Sequence, residues 1–175
     1  LVGRRFESGE YFLPELMLAG RALRAAMAVV RPELEARYRG VGRAEGRVIL
    51  ATVQSDIHDI GKNIVASMLV ASGFEVVDMG VDVPVSDIVG KAEEIGADII
   101  ALSSLLSTSR PYMRDLVNLL VARNIRDKYV VLVGGASVTQ EYAHDIGADG
   151  YGHNAVQAVE LAKELTKKGR ERRAP

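Results

Sequence analysis

The stretch "VILATVQSDIHDIGKNIV", Val48 to Val65, changes character in its middle. It opens as a continuous apolar, β-branched run and closes on residues suited to a helix, with two aspartates, a histidine and a glycine packed into the joint. An apolar run of this length that does not alternate reads as a strand buried on both faces. The same change recurs downstream. Strands are predicted at 48–53, 75–80, 98–104 and 129–135, with a short "GYG" near 150, and helices at about 62–72, 86–95, 110–124, 139–146 and 154–168. Strand alternating with helix, with both strand faces apolar, predicts an α/β domain: a doubly wound, five-stranded parallel sheet in the flavodoxin-like order 2-1-3-4-5. The phrases "SGFEV", "IGADI" and "IGADG" each close a helix on glycine and open a strand, as left-handed helix termination requires.

Before this domain, Leu13, Leu16, Met17, Gly20, Leu23, Met27 and Val30 recur at steps of three and four. They predict one amphipathic helix from about Pro14 to Val30, with Pro14 in its first turn and Arg31-Pro32 disfavouring its continuation. The organisation expected is therefore three-part: residues 1–46 a partial helical unit and linker, 47–168 the α/β domain, and 169–175 a charged tail. The chain opens at Leu1 without a methionine, so an upstream segment is expected; one amphipathic helix cannot bury its own stripe and has to pack against upstream residues, the next domain or something bound.

Composition narrows the function classes. The formal net charge is −1, which gives no field for nucleic acid or an anionic membrane, and the absence of cysteine removes disulfides and thiolate metal sites. No apolar run approaches the roughly 20 residues of a membrane span, and no signal peptide opens the chain, so a cytoplasmic location is expected. There is no Walker A spacing around Lys62, no G-x-G-x-x-G after a strand and no G-x-S-x-G elbow.

In open α/β sheets ligands bind beyond the carboxyl ends of the strands. After the first strand, Asp56 can accept a ring N–H of His58, fixing its tautomer and raising its basicity, and Gly61 leaves space at the start of the helix. The plainer alternative is that Asp56 caps the helix and His58 is an exposed loop residue. His144 and His153 join no acidic cluster, so a metal on His58 has to arrive with its other ligands, as in a tetrapyrrole-type cofactor. After the third strand come Ser103, Ser104, Ser107, Thr108 and Ser109, one of which is expected to cap the helix at Pro111. The fourth strand ends in Gly134-Gly135, an ordinary turn or a close approach for a bulky ligand.

Taken together, Asp56-Ile-His58-Asp-Ile-Gly61, Ser103-Ser-Leu105 and Gly134-Gly135 resemble the D-x-H-x-x-G, S-x-L and G-G motifs of the cobalamin-binding domain. The longer strings "GFEVVDMGVDVP" and "VGGASVTQEYAHDIGADGY" are similar to corrinoid proteins of methyltransferase systems for methanol, methylamines or aryl methyl ethers, and to the cobalamin module of methionine synthase. The resemblance implies a corrinoid cofactor bound base-off, with His58 as lower ligand to cobalt, Asp56 on its distal nitrogen and Ser109 extending that relay. It further implies Ser103 and Leu105 lining a slot for the displaced nucleotide tail, with Gly134 and Gly135 leaving room. "GEYFLPELMLAGRAL" resembles part of the helical cap over the methyl-bearing face, and Phe12, Leu13 and Met17 are the candidates there. The implied function is a methyl carrier between a substrate-specific methyltransferase and a second one, with a reductive activator as a further partner and no complete activity alone. A cobalamin-dependent regulator or photosensor, and an adenosylcobalamin mutase module, are the alternatives.

Overall fold

The computed structural model describes Arg5, residues 8–38 and residues 45–173. The chain divides into two compact units, Leu1–Arg37 and Tyr38–Pro175. The first contains most of helix α1 (Leu13–Tyr38), which begins where Phe12 donates its amide to Glu15 Oε2 at 2.9 Å, half of a capping box. The helix does not stop at Val30 as predicted, because Pro32 lies inside it. Proline removes one helical donor, but the run that follows, Glu33-Leu34-Glu35-Ala36-Arg37, consists of strong helix formers that carry the helix on.

The second unit is the α/β domain: β1 (Gly46–Thr52), α2 (Ile60–Ala71), β2 (Phe74–Asp78), α3 (Val85–Ile95), β3 (Ile99–Ser103), α4 (Pro111–Ala122), β4 (Val130–Gly134), α5 (Gln140–Asp145), β5 (Gly150–Gly152) and α6 (Ala155–Arg173). The five strands are parallel in the order β2-β1-β3-β4-β5. Every strand and α-helix from β1 onward falls where the sequence placed it, except that α6 runs through the charged residues 169–173; a single 3-10 turn at Arg126–Lys128 was not expected.

Because successive side chains point to opposite faces, the continuous apolar strands feed two cores. Ile49, Ala51, Ile100, Leu102, Val131 and Val133 pack with Ile88, Val89, Met113, Leu116 and Leu120 of α3 and α4. Val48, Leu50, Ile99, Ala101 and Leu132 pack on the other face with Ala66 and Leu69 of α2 and with Val159 and Ala162 of α6. Glycines after α2, α3 and α5 take positive φ: 95° at Gly73, 61° at Gly96 and 75° at Gly147. These are the glycines at which the sequence predicted helix termination.

The order places the topological switch between β1 and β3. The chain leaves β1 toward β2 on one side and returns to β3 on the other, so the loops after β1 and β3 meet at the carboxyl edge.

Candidate functional site

The loop from Val53 to Asp59 is pinned at several points. Its backbone continues into an isolated bridge from Val53 to Val83, and Val53 donates to Ser103 O. Ser55 adopts φ 67° and gives its amide to Asp82 Oδ1 at 2.7 Å, while Asp82, itself at φ 53°, donates its own amide to Asp56 O. Two non-glycine residues in the left-handed region mark a loop whose path is imposed by its surroundings.

Within this frame Asp56 is almost wholly buried, at 1% exposure, and His58 is half exposed. Asp56 Oδ1 accepts the His58 amide at 3.0 Å, an Asx turn, and lies 2.6 Å from His58 Nδ1. The second carboxylate oxygen, Oδ2, accepts from the Leu105 amide at 2.6 Å, the Leu106 amide at 3.2 Å and the Ser109 hydroxyl at 3.1 Å. Thr52, buried at the end of β1, donates its hydroxyl to His58 O. Burial pushes the Asp56 pKa up, but the hydrogen bonds from His58, Leu105 and Leu106 outweigh it and bring it down to about 2. Asp56 is therefore an anion at neutral pH, and its charge holds the proton of the neutral imidazole on Nδ1. Nε2 then presents a lone pair from a half-exposed ring whose orientation is fixed by the carboxylate behind it.

Five hydrogen bonds converge on a single carboxylate, and three come from the loop after β3. That loop is braced in turn by Ser104, which is fully buried. Its Oγ lies 2.8 Å from Ser109 Oγ and donates to Leu106 O, and Ser137 Oγ donates to Ser104 O. The expectation that a hydroxyl caps α4 fails: the helix starts after Arg110 with no side-chain cap, because the Ser109 hydroxyl is directed to Asp56 and Leu106 O. Likewise Asp56 does not cap α2, whose N-cap is Asp59.

Beside this loop a cavity of about 440 Å³ runs between the sheet and helices α2 and α6. Gly61, Ser103, Gly134 and Gly135 line it at the carboxyl end of the strands. Gly61 has open space where a Cβ would stand, so its missing side chain is room toward the cavity. At the glycine pair the protein itself sets the requirement. A Cβ on Gly134 would come within 2.9 Å of Gly152 O, and Gly135, at φ 114°, would place one 2.1 Å from Ser104 O.

Of the residues selected from sequence, Asp56, His58, Leu105 and Ser109 thus meet at one carboxylate, and Gly61, Ser103, Gly134 and Gly135 border the cavity. Leu105 is absent from the cavity wall, in contrast to the slot-lining place expected for it; its side chain is exposed and its amide binds Asp56. Phe12 and Met17 are exposed on the first unit, and the Leu13 side chain lies outside the described residues.

Sequence reasoning named Ser104 only as one candidate cap and missed its bracing role, and it passed over the buried ion pair of Lys62 Nζ with Asp78 Oδ1 at 2.5 Å, which ties the first turn of α2 to the end of β2. It also passed over Asp82. A lysine immediately after the glycine of a strand-to-helix joint, with an aspartate in the neighbouring predicted strand, was the available signal for the ion pair. Among the described residues no group of three or more His, Asp or Glu is arranged to hold a metal ion, so a metal on His58 brings its other ligands with it. No described helix is long and apolar enough to cross a membrane.

Comparison with known proteins agrees with this geometry. Residues 46–160 match the model of the B12 binding domain, and residues 1–31 match a second model, also described as a B12 binding domain. The chain is 46% identical over 167 residues to dimethylamine corrinoid protein 3 of Methanosarcina mazei, covering 94% of this chain and 97% of that one. The structure of the Methanosarcina barkeri monomethylamine corrinoid protein superposes with a TM-score of 0.81 at 38% identity, covering 94% of this chain and 76% of that one. A chain of the methanol:cobalamin methyltransferase complex of Methanosarcina barkeri aligns with a TM-score of 0.67 at 27% identity, over 95% of this chain and 62% of that one. The pairing of buried Asp56 with half-exposed His58 and the neighbouring cavity thus stand in a member of the cobalamin-binding corrinoid protein family.

Proposed function

We propose that this chain carries methyl groups on a corrinoid, receiving them from a substrate-specific methyltransferase and presenting them to a second one. The observation that carries the reading is the pairing of a tautomer-fixed, half-exposed His58 with an apolar cavity opening at the same sheet edge. The residues present fit such a group. A single imidazole nitrogen suffices for a metal whose other ligands belong to its own macrocycle, and an elongated cavity suits an arm detached from that metal.

When bound, the corrinoid supplies a cobalt centre that takes up and releases a methyl group. The protein's part is positional and electrostatic. His58 offers Nε2 to the metal, and Asp56 holds the Nδ1 proton and keeps the ring from rotating. The Leu105 and Leu106 amides and the Ser109 hydroxyl fix the charge of Asp56 in place. Ile57, Leu105 and Leu106 are exposed apolar side chains on the two loops that meet at Asp56, a surface suited to a flat macrocycle. The relatives named for dimethylamine and monomethylamine support a donor of the small methylated amine class, and the methanol complex supports a partner methyltransferase. The exposed Phe12 and Met17 are proposed, with Leu13, as part of an apolar cover over the methyl-bearing face.

Reconstitution with cobalamin and electron paramagnetic resonance of the Co(II) form tests the assignment. Wild-type protein is expected to show splitting from one axial nitrogen, and His58→Ala to lose it while retaining cofactor through the cavity. Unchanged splitting in His58→Ala rules the assignment out.

A further inference from the structure

We propose that the cavity selects the lower base of the corrinoid, accepting a benzimidazole and discriminating against an adenine. The inference rests on the reading above, in which the detached nucleotide arm enters this cavity, and adds which arm it prefers.

The polarity of the cavity is graded along its length. Its polar side chains, Lys62, Ser103, Tyr151, His153 and Asn154, all stand at the end where the strands stop and α2 and α6 begin. Several are already engaged. Lys62 Nζ is held by Asp78 Oδ1 and Asn63 Oδ1, and the Tyr151 hydroxyl lies 3.2 Å from His153 Nδ1. Toward the strand beginnings the wall changes to Val48, Leu69, Ile99, Leu132, Leu161 and Ala162. In the parallel register Val48 lies beside Ile99, deep in the sheet, whereas Ser103 lies beside Gly134 at the opening. The backbone amides and carbonyls of this inner region are consumed by the strand ladder and by the helices, so they add no free hydrogen-bonding partner.

The base is the terminal group of the arm and so the part that reaches farthest in. The six-membered ring of dimethylbenzimidazole carries only C–H and methyl groups, which an apolar wall accommodates. The six-membered ring of adenine carries two ring nitrogens and an amino group. All three leave water for a wall that offers them nothing, and an unmade buried hydrogen bond penalises binding more than a made one helps it. A site built this way discriminates strongly because the penalty falls on several groups together.

The test is direct binding to wild-type apoprotein by titration calorimetry, with three probes: cobalamin, its analogue with adenine as lower base, and cobinamide, which lacks the nucleotide arm. Absorbance reports whether the lower base has left cobalt. Cobalamin is expected to bind base-off and at least tenfold more tightly than the adenine analogue, with cobinamide weaker than cobalamin. Equal or tighter binding of the adenine analogue, with both exceeding cobinamide, overturns the selectivity while leaving the cavity as the site of the arm. Cobalamin binding no tighter than cobinamide overturns the selectivity and the cavity's role in holding the arm together.

Discussion

At the residue scale the decisive object is the Asp56 carboxylate, which is buried and yet charged. Its pKa near 2, against an ordinary value of 3.8, means that folding favours the anion. Such a group stabilises the protein fully above about pH 4, and the contribution fades as the pH falls from there through 2, amounting to about 2 kcal/mol. Asp56→Asn apoprotein is therefore expected to lose about 2–3 kcal/mol at pH 7, since an amide group replaces an oxygen that accepts several donors. It is also expected to lose less further stability than wild type between pH 5 and 3. Urea denaturation at the two pH values measures both. Equal acid sensitivity in the two proteins would show that the hydrogen bonds of Asp56 do not lower its pKa. Lys62→Met is expected to cost about 3 kcal/mol in the same assay, because it leaves Asp78 mostly buried without its cation.

At the scale of elements, the site is an agreement between the ends of three strands. β1 delivers His58, the loop after β3 delivers the donors to Asp56, and the turn after β4 braces that loop through Ser104. The two kinds of glycine at these ends separate by experiment. Gly135→Ala forces a side chain into the Ser104 backbone at a left-handed φ, and is expected to destabilise the apoprotein by about 3 kcal/mol or more. Gly61→Ala meets no atom and sits in the first turn of α2, so its stability is expected to stay within about 1 kcal/mol of wild type. Its corrinoid affinity is expected to fall, since the new methyl group borders the cavity. Thermal melts of the apoproteins and cobalamin titrations distinguish the two cases. A Gly135→Ala protein as stable as wild type would mean that the turn yields more easily than the close contact with Ser104 implies.

At the scale of the whole molecule, the α/β unit folds around a sheet one face of which retains about 440 Å³ of space between α2 and α6. The lining side chains there lack part of the contact a filled core provides. A ligand that fills this space and binds only the folded state raises stability by about 2.7 kcal/mol when present at 100 times its Kd. Cobalamin is accordingly expected to raise the melting temperature in a concentration-dependent way, and cobinamide to raise it less at equal concentration. Circular dichroism melts check this. No shift with saturating cobalamin would mean that the ligand does not favour the folded state.

Much of this was legible in the chain. Unbroken apolar strands such as "VILATV" and "DIIALSS", separated by helices ending on glycine, specify a parallel two-core sheet because both patterns are local and follow from backbone geometry. Asp56 and His58 are two residues apart, so their pairing is also local, and an Asx turn needs nothing from elsewhere. What the sequence could not decide is everything that depends on distant segments arriving together. Leu105 contributes its amide rather than its side chain, and a backbone group leaves no trace in residue identity. Ser109 serves a carboxylate 53 positions away instead of its own helix, a pairing that the family resemblance implied but no local spacing shows, and Gly135 is held to glycine by Ser104. The continuation of α1 past Pro32 went unseen because a local breaker was weighed without the helix formers beyond it. Sequence alone therefore determined the sheet, its order and the Asp56–His58 pair at its carboxyl edge, all written in short-range periodicity and spacing. Only the tertiary structure decided which backbone amides hold the Asp56 charge and where the cavity turns from polar to apolar, because both arise from contacts between segments far apart in the chain.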